Sequence, residues 1–262
     1  MKKIIGLIAL LSIITLATSC KGGDSDPKAE LLKAVNDLNR ACPIITDLFT
    51  CESAALADQN LVIRYTIDDN TLTLAKASPE VAKKVFGAAF FEASPEVADL
   101  LNRSGFDLKL IFTGAESGEE ATLSFNEQDI KDVKMNPPTD EELIDWQLKS
   151  TNATMPQAVD IATTLVSLER DGDQLTYVYE VDDTKMDFAE FIDGQKQFRL
   201  GIIANLEASN TPQSSFGHYL KLLCRSGKSL CYSYRAKSSG KAVNINFTNS
   251  DLRTIAHYNP KD

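Results

Sequence analysis

Residues Gln174–Asp183 read QLTYVYEVDD, and residues Asn60–Asp69 read NLVIRYTIDD. Both alternate apolar with polar residues, carry a tyrosine at the same place and close on Asp-Asp. The alternation predicts two half-buried strands, and their likeness predicts that the chain carries one fold twice. Working outward confirms the pattern. Asn39, Pro43 and Asp47 recur as Asn152, Pro156 and Asp160. Further on, Leu100, Leu101, Arg103, Ser104, Gly105, Leu108, Ser117, Gly118, Phe125 and Asp129 recur as Leu222, Leu223, Arg225, Ser226, Gly227, Leu230, Ser239, Gly240, Phe247 and Asp251. Ten identities in 31 gapless positions, against roughly two by chance, predict a duplication.

Each copy reads in the same order. Leu31, Leu32, Val35 and Leu38 fall at helical spacing within Ala29–Ala41. A strand hairpin follows, turning at Ala57–Asn60 in the first copy and at Arg170-Asp171-Gly172-Asp173 in the second, where Asp-Gly is the stronger hairpin signal. In the helical middle of the first copy, Ser78-Pro79-Glu80 and Ser94-Pro95-Glu96 read as helix starts, and Gly105 as a helix C-cap. A second hairpin, Leu108–Thr113 with Ala121–Phe125, closes the copy. The predicted fold class is α+β: two tandem repeats, each helix, β-hairpin, helices, β-hairpin, with a mainly antiparallel four-stranded sheet covered on one face by helices. Asn136-Pro137-Pro138 marks the boundary, so repeat 1 spans 28–136 and repeat 2 spans 137–262. Thr139 and Glu142 form a capping-box pattern at the start of the second copy, and the tail after Leu252 reads as loose.

The first 27 residues are of another kind. Lys2 and Lys3 precede an apolar run, Ile4–Ala17, too short to span a bilayer comfortably. The run leads to Leu16-Ala17-Thr18-Ser19-Cys20. That stretch resembles a bacterial lipobox, with Ala17 where leucine is usual, and predicts a signal segment over 1–19 and lipid attachment at Cys20. Cysteine parity agrees, because lipidation of Cys20 turns five cysteines into an even four. Residues 20–27 read as the lipidated cysteine and a polar tether. The net charge is −10, and −12 without the first twenty residues, which carry two lysines and no acid. That balance argues against a nucleic-acid partner, since phosphate binding needs clustered cations.

The second copy also resembles a family of small bacterial exported domains without an assigned activity. Asn152, Pro156-Gln157-Ala158-Val159-Asp160, Thr163, Leu175-Thr176-Tyr177-Val178-Tyr179, Leu222-Leu223, Gly227 and Cys231-Tyr232-Ser233-Tyr234-Arg235 carry the resemblance over about 100 residues. It implies the fold and export, and supplies no chemistry. The family pattern has a cysteine before its last helix and another after its final strand. Here Asn210 or Thr211 and Leu252 stand at those places.

Five sets of residues are candidates for function. Tyr177 and Tyr179 on one strand, with Tyr232 and Tyr234 on another, could line an aromatic face for a small molecule or glycan. The first copy has Ile63, Tyr65, Leu110 and Phe112 there, which suits a buried core. Asp68-Asp69 and Asp182-Asp183, with Asp187, could hold a hard cation, but too few ligands converge for a recognised calcium loop and they read as turn residues. His218 and His257 are the two histidines, too few for a usual histidine-based zinc site. Cys42, Cys51, Cys224 and Cys231 allow three pairings. Cys224 faces the core from a helix and Cys231 points away from it on a strand, which counts against that pair, while Cys42–Cys51 stays open alongside four free thiols. Surface carboxylates in the groove between the copies could serve an enzyme.

No phosphate-binding glycine loop, H-E-x-x-H or G-x-S-x-G occurs. The expectation is therefore an exported, lipid-anchored envelope protein, at the outer membrane with its side left open. It would be non-catalytic, without cofactor or metal, and would bind a membrane through its lipid and an envelope protein or glycan through its domains.

Overall fold

The computed structural model describes residues 26–46, 48–211 and 214–259. The signal segment, Cys20 and the tether as far as residue 25 lie outside the described residues. The chain divides into two compact units between Thr139 and Asp140.

The first unit runs α1 (Pro27–Ala41), β1 (Ile44–Ile45), β2 (Phe49–Ala57), β3 (Asn60–Ile67), α2 (Asp69–Ala77), α3 (Pro79–Ala93), α4 (Pro95–Ser104), β4 (Asp107–Gly114), β5 (Glu120–Phe125) and α5 (Glu127–Met135). The second unit repeats that order element for element: α6 (Asp140–Ala153), β6 (Gln157–Ala158), β7 (Thr163–Asp171), β8 (Gln174–Val181), α7 (Phe188–Asp193), α8 (Gln195–Ser209), α9 (Ser215–Arg225), β9 (Ser229–Ala236), β10 (Ala242–Phe247) and α10 (Asn249–Ile255). The α+β class and the two-part arrangement are as expected. Among the described residues no helix is long and apolar enough to cross a membrane.

Each sheet holds the four expected strands plus a fifth. The first is ordered β1-β2-β3-β4-β5 and the second β10-β9-β8-β7-β6. The added edge strands, β1 and β6, have two residues each, too few for an alternating pattern to announce them. Neighbours pair antiparallel except β3 with β4 and β8 with β9, which run parallel because the helical middle carries the chain back across the sheet. Both sheets bear a register shift in the outer strand of the first hairpin, between Cys51 and Ser53 and between Leu165 and Ser167. Both units also have a cis peptide bond before the same proline, at Cys42-Pro43 and Met155-Pro156. The shared register shifts fit the two-part arrangement, because nothing in a generic α+β layout calls for them.

Local chemistry accounts for most boundaries. Proline sits at the first helical position of α1, α3 and α4, where no hydrogen bond is lost. Asp26 caps α1, so the helix starts at Pro27, inside the predicted tether. Ser78 and Ser94 take the N-cap positions of α3 and α4, as their sequence pattern suggests, but neither makes a side-chain cap hydrogen bond. Gly105 ends α4 in the left-handed conformation at φ 68°. The first hairpin turns without glycine, through Asp58 and Gln59 at φ 48° and 59°.

A correction concerns the end of each copy. Both hairpins β4–β5 and β9–β10 are followed by a helix, and the first three residues of the tail read as loose, Arg253, Thr254 and Ile255, belong to α10, with Ile255 and Ala256 buried. These helices are short, with few apolar residues to show a period. Capping boxes start them: Asn126 with Asp129, and Thr248 with Asp251.

The helices cover one sheet face in each unit. In the first, Leu61, Ile63, Tyr65 and Ile67 of β3 and Leu108, Leu110 and Phe112 of β4 are buried, together with Phe86, Phe90 and Phe91 of α3. The matching helix α8 buries Ile202 and Leu206 and leaves Phe198 and Leu200 exposed. Glycines on these two helices expose the contrast. A Cβ at Gly87 would lie 2.5 Å from Cε1 of Phe125, whereas one at Gly201 meets nothing within 4 Å. Gly87→Ala is therefore expected to destabilise by about 1–3 kcal/mol through overpacking. Gly201→Ala should stabilise by about 0.5–1 kcal/mol, because alanine loses less entropy in a helix. Chemical denaturation measures both, and a neutral Gly87→Ala would mean that α3 is not seated on Phe125.

Candidate functional site

The aromatic stripe was the strongest candidate for a ligand face. The parallel register of β8 and β9 sets Tyr177 opposite Tyr232 and Tyr179 opposite Tyr234. The four rings form one layer, stacked at centroid distances of 5.5 Å (Tyr177–Tyr232), 6.3 Å (Tyr179–Tyr232) and 4.7 Å (Tyr179–Tyr234). Phe247 closes the layer edge-on against Tyr232, and Phe198 against Tyr234. Their exposures are 2% for Tyr177, 7% for Tyr179 and 9% each for Tyr232 and Tyr234. They are core, and the open aromatic face is corrected accordingly. The first unit shows the same construction, with Tyr65 stacked on Phe112 at 5.5 Å.

Burial pushes all four phenols up, Tyr234 to about 12, because a phenolate there would be stripped of water. The Tyr177 and Tyr219 hydroxyls interact with each other. Their contact falls short of good hydrogen-bond geometry, and among the described residues neither has another hydrogen-bond partner. These hydroxyls therefore contribute little to stability.

The paired aspartates serve the backbone. Asp68 caps α2, accepting from the backbone N–H of Asn70 and Thr71. Asp69 reaches across to the β4–β5 turn, accepting from Glu116 N, Ser117 N and the Ser117 hydroxyl. Asp183 does the same for the β9–β10 turn, accepting from Ser238 N at 2.9 Å and its hydroxyl at 2.5 Å. Each Asp-Asp thus closes a strand and ties it to the next hairpin. The Ser117 and Ser238 hydroxyls, with backbone N–H groups, hold Asp69 and Asp183 below the usual carboxylate range. The Thr184 hydroxyl, helped by Lys185, brings Asp182 down to about 2. Asp187 accepts from Ala189 N at the start of α7.

Asp183, Thr184, Lys185, Asp187, Phe188 and Lys241 are among the residues that border an open depression of about 550 Å³. Among the described residues, no three histidine, cysteine or acidic side chains stand close enough to hold a metal. The histidines are not brought together with these acids. His218 places Nδ1 3.0 Å from the Ser214 carbonyl on its own helix, and His257 sits just after α10 at φ 48°.

One feature escaped sequence reading. Lys228, only 3% exposed, sets its Nζ 2.7 Å from Glu141 and 2.8 Å from Asp173. Arg170 joins Glu141 and lies 2.8 Å from Asp145. Asp173 raises Lys228, and Lys228 and Arg170 lower Glu141. The matching positions in the first unit hold Phe106 and Lys28, with the lysine 5.9 Å from the ring centroid. An ion cluster in one copy thus stands where the other has a cation over an aromatic face. No motif marks Lys228 in the sequence, since its partners lie 87 and 55 positions away. The structure also brings together the two thiols whose pairing the sequence left open. Cys42 Sγ and Cys51 Sγ stand 3.9 Å apart, with Cys51 fully buried and Cys42 half-buried. Cys224 and Cys231 are buried free thiols on α9 and β9.

No family model and no curated protein matches the chain. Among solved structures, the chain is similar to a protein from Pseudomonas aeruginosa described as a predicted secreted protein. The likeness has 18% identity and a TM-score of 0.33, and covers 41% of this chain and 99% of that one. A score that low carries no argument about function.

Proposed function

We propose that this chain is an exported envelope lipoprotein, anchored in the outer membrane through Cys20. Its two α+β units work as a non-catalytic module that binds a partner protein or takes part in an assembly there. The observation that carries the reading is the stretch Leu16-Ala17-Thr18-Ser19-Cys20 behind a charged and then apolar leader. The start of α1 gives it physical meaning. Six residues, Lys21–Asp26, separate Cys20 from the helix. Fully extended they reach about 20 Å, so the first unit would be held close to the membrane surface. Several acyl chains on one cysteine anchor firmly where one alone would be marginal.

A binding role is supported by how the reactive side chains are used. The paired aspartates cap helices and turns, and the four tyrosines fill a core. With the tyrosines buried, a partner protein is a better fit than a glycan.

Growth with labelled palmitate tests the anchor. Label is expected on the full chain in the membrane fraction, and Cys20→Ala should abolish both the label and the membrane retention. An unlabelled, soluble wild-type chain would overturn the reading.

A further inference from the structure

We propose that Cys42 and Cys51 close a disulfide that staples the end of the first helix to the sheet of the first unit. The proposal rests on the export reading for its oxidant, and on geometry for its pair.

Cys42 is the residue that ends α1, and Cys51 lies on β2 opposite Ile44, two residues beyond Cys42. Antiparallel pairing of β1 with β2 therefore returns the chain beside its own helix end. The sulfurs already stand 3.9 Å apart. Closing the gap to the roughly 2 Å of an S–S bond asks for a turn of one side chain, and Cys42 is only half-buried, with room to turn. The sealed Cys51 thiol, raised by burial and by Cys42 beside it, is inert toward anything but its neighbour.

The second unit provides an internal comparison. Its matching positions hold Met155 and Leu165, an apolar pair that cannot cross-link. The pair is thus confined to the copy that follows the anchor, where a pull on the lipid would reach the sheet through α1.

The chemistry balances with a small disulfide as co-reactant, the class of oxidant met outside the cytoplasm. The Cys42 thiolate attacks one sulfur of the oxidant, whose S–S bond breaks and releases one thiol. Cys51 then loses its proton and attacks the Cys42 sulfur of the mixed disulfide, releasing the second thiol. Two protein S–H bonds are lost and one S–S bond is gained. The oxidant is reduced to two thiols, which take up the two protons.

Both cysteines fall in one tryptic peptide, Ala41–Arg64, while Cys224 and Cys231 fall in two others. The full chain, purified in detergent, is reduced, treated with oxidised glutathione, unfolded, alkylated and digested. The expected peptide is lighter by two hydrogen atoms and takes up alkylating agent only after reduction, with Cys224 and Cys231 alkylated throughout. Reductant should lower the melting temperature of the first unit by roughly 5–10 °C in the wild type and leave that of Cys42→Ser unmoved. Full alkylation of all four cysteines after glutathione treatment, or a bridge from Cys42 to any other residue, would overturn the pair. A ring that closes with glutathione but is open in protein alkylated inside cells upholds the pair and counts against export instead.

Discussion

Tyr177→Ala is expected to destabilise the second unit by about 3–5 kcal/mol, the usual cost of emptying a large buried aromatic site. Tyr177→Phe should change stability by less than about 1 kcal/mol, in either direction. The two results separate the ring from its hydroxyl. The ring is 2% exposed and stacked on Tyr232 at 5.5 Å, so removing it opens a cavity in the centre of the sheet. The hydroxyl approaches Tyr219 without good hydrogen-bond geometry and has no other hydrogen-bond partner among the described residues, so removing it forfeits little. Urea denaturation of the full chain reads both, provided the second unit gives its own transition. An alanine variant within about 1 kcal/mol of wild type would mean the ring is not core, and would reopen the aromatic face as a binding surface. A tyrosine held for ligand contact predicts the reverse order, with stability kept and binding lost.

The same layer shows what the sequence could convey. Strand periodicity placed Tyr177, Tyr179, Tyr232 and Tyr234 on common faces, and the repeat supplied Ile63, Tyr65, Leu110 and Phe112 as their counterparts, pointing to a core. Local signals of that kind also located Pro79, Pro95 and Gly105 at their helix ends. Register lay beyond them. That Cys42 meets Cys51 depends on a two-residue strand, and two residues carry no period. The cluster around Lys228 depends on three elements meeting, α6, the β7–β8 turn and the residue before β9. The terminal helices α5 and α10 were missed for a different reason. Their start signals, N-x-x-D and T-x-x-D, are present in the sequence, but too few apolar positions follow to set them apart from a loop. The aspartates illustrate a further limit of composition. Asp69 and Asp183 were legible as turn residues, but which turn they fasten is fixed by the parallel crossover.

Asn39 and Asn152 follow from the same logic and carry the second large effect. β1 covers β2 only as far as Cys51, and β6 covers β7 only as far as Leu165. Beyond those points the outer strand would present an unpaired backbone edge. One asparagine stands in for the missing strand in each unit. Asn39 donates to the Ala54 carbonyl at 2.7 Å and accepts from its N–H at 2.8 Å. Asn152 donates to the Leu168 carbonyl and accepts from its N–H, both at 2.8 Å. Ala54 and Leu168 are buried, so water cannot replace these bonds freely. Asn39→Ala and Asn152→Ala are each expected to cost about 2–4 kcal/mol, from orphaning one buried donor and one buried acceptor. Asn→Asp at either place keeps the acceptor, loses the donor and sets a negative charge against a carbonyl, so it should not rescue the loss. Unfolding free energies of the four variants decide the matter. If both alanine variants matched wild type, solvent would be satisfying the edge and the asparagines would not be acting as strands. Equal losses in the two units would mean that both use one solution to one problem: how to finish a sheet whose edge strand is only two residues long.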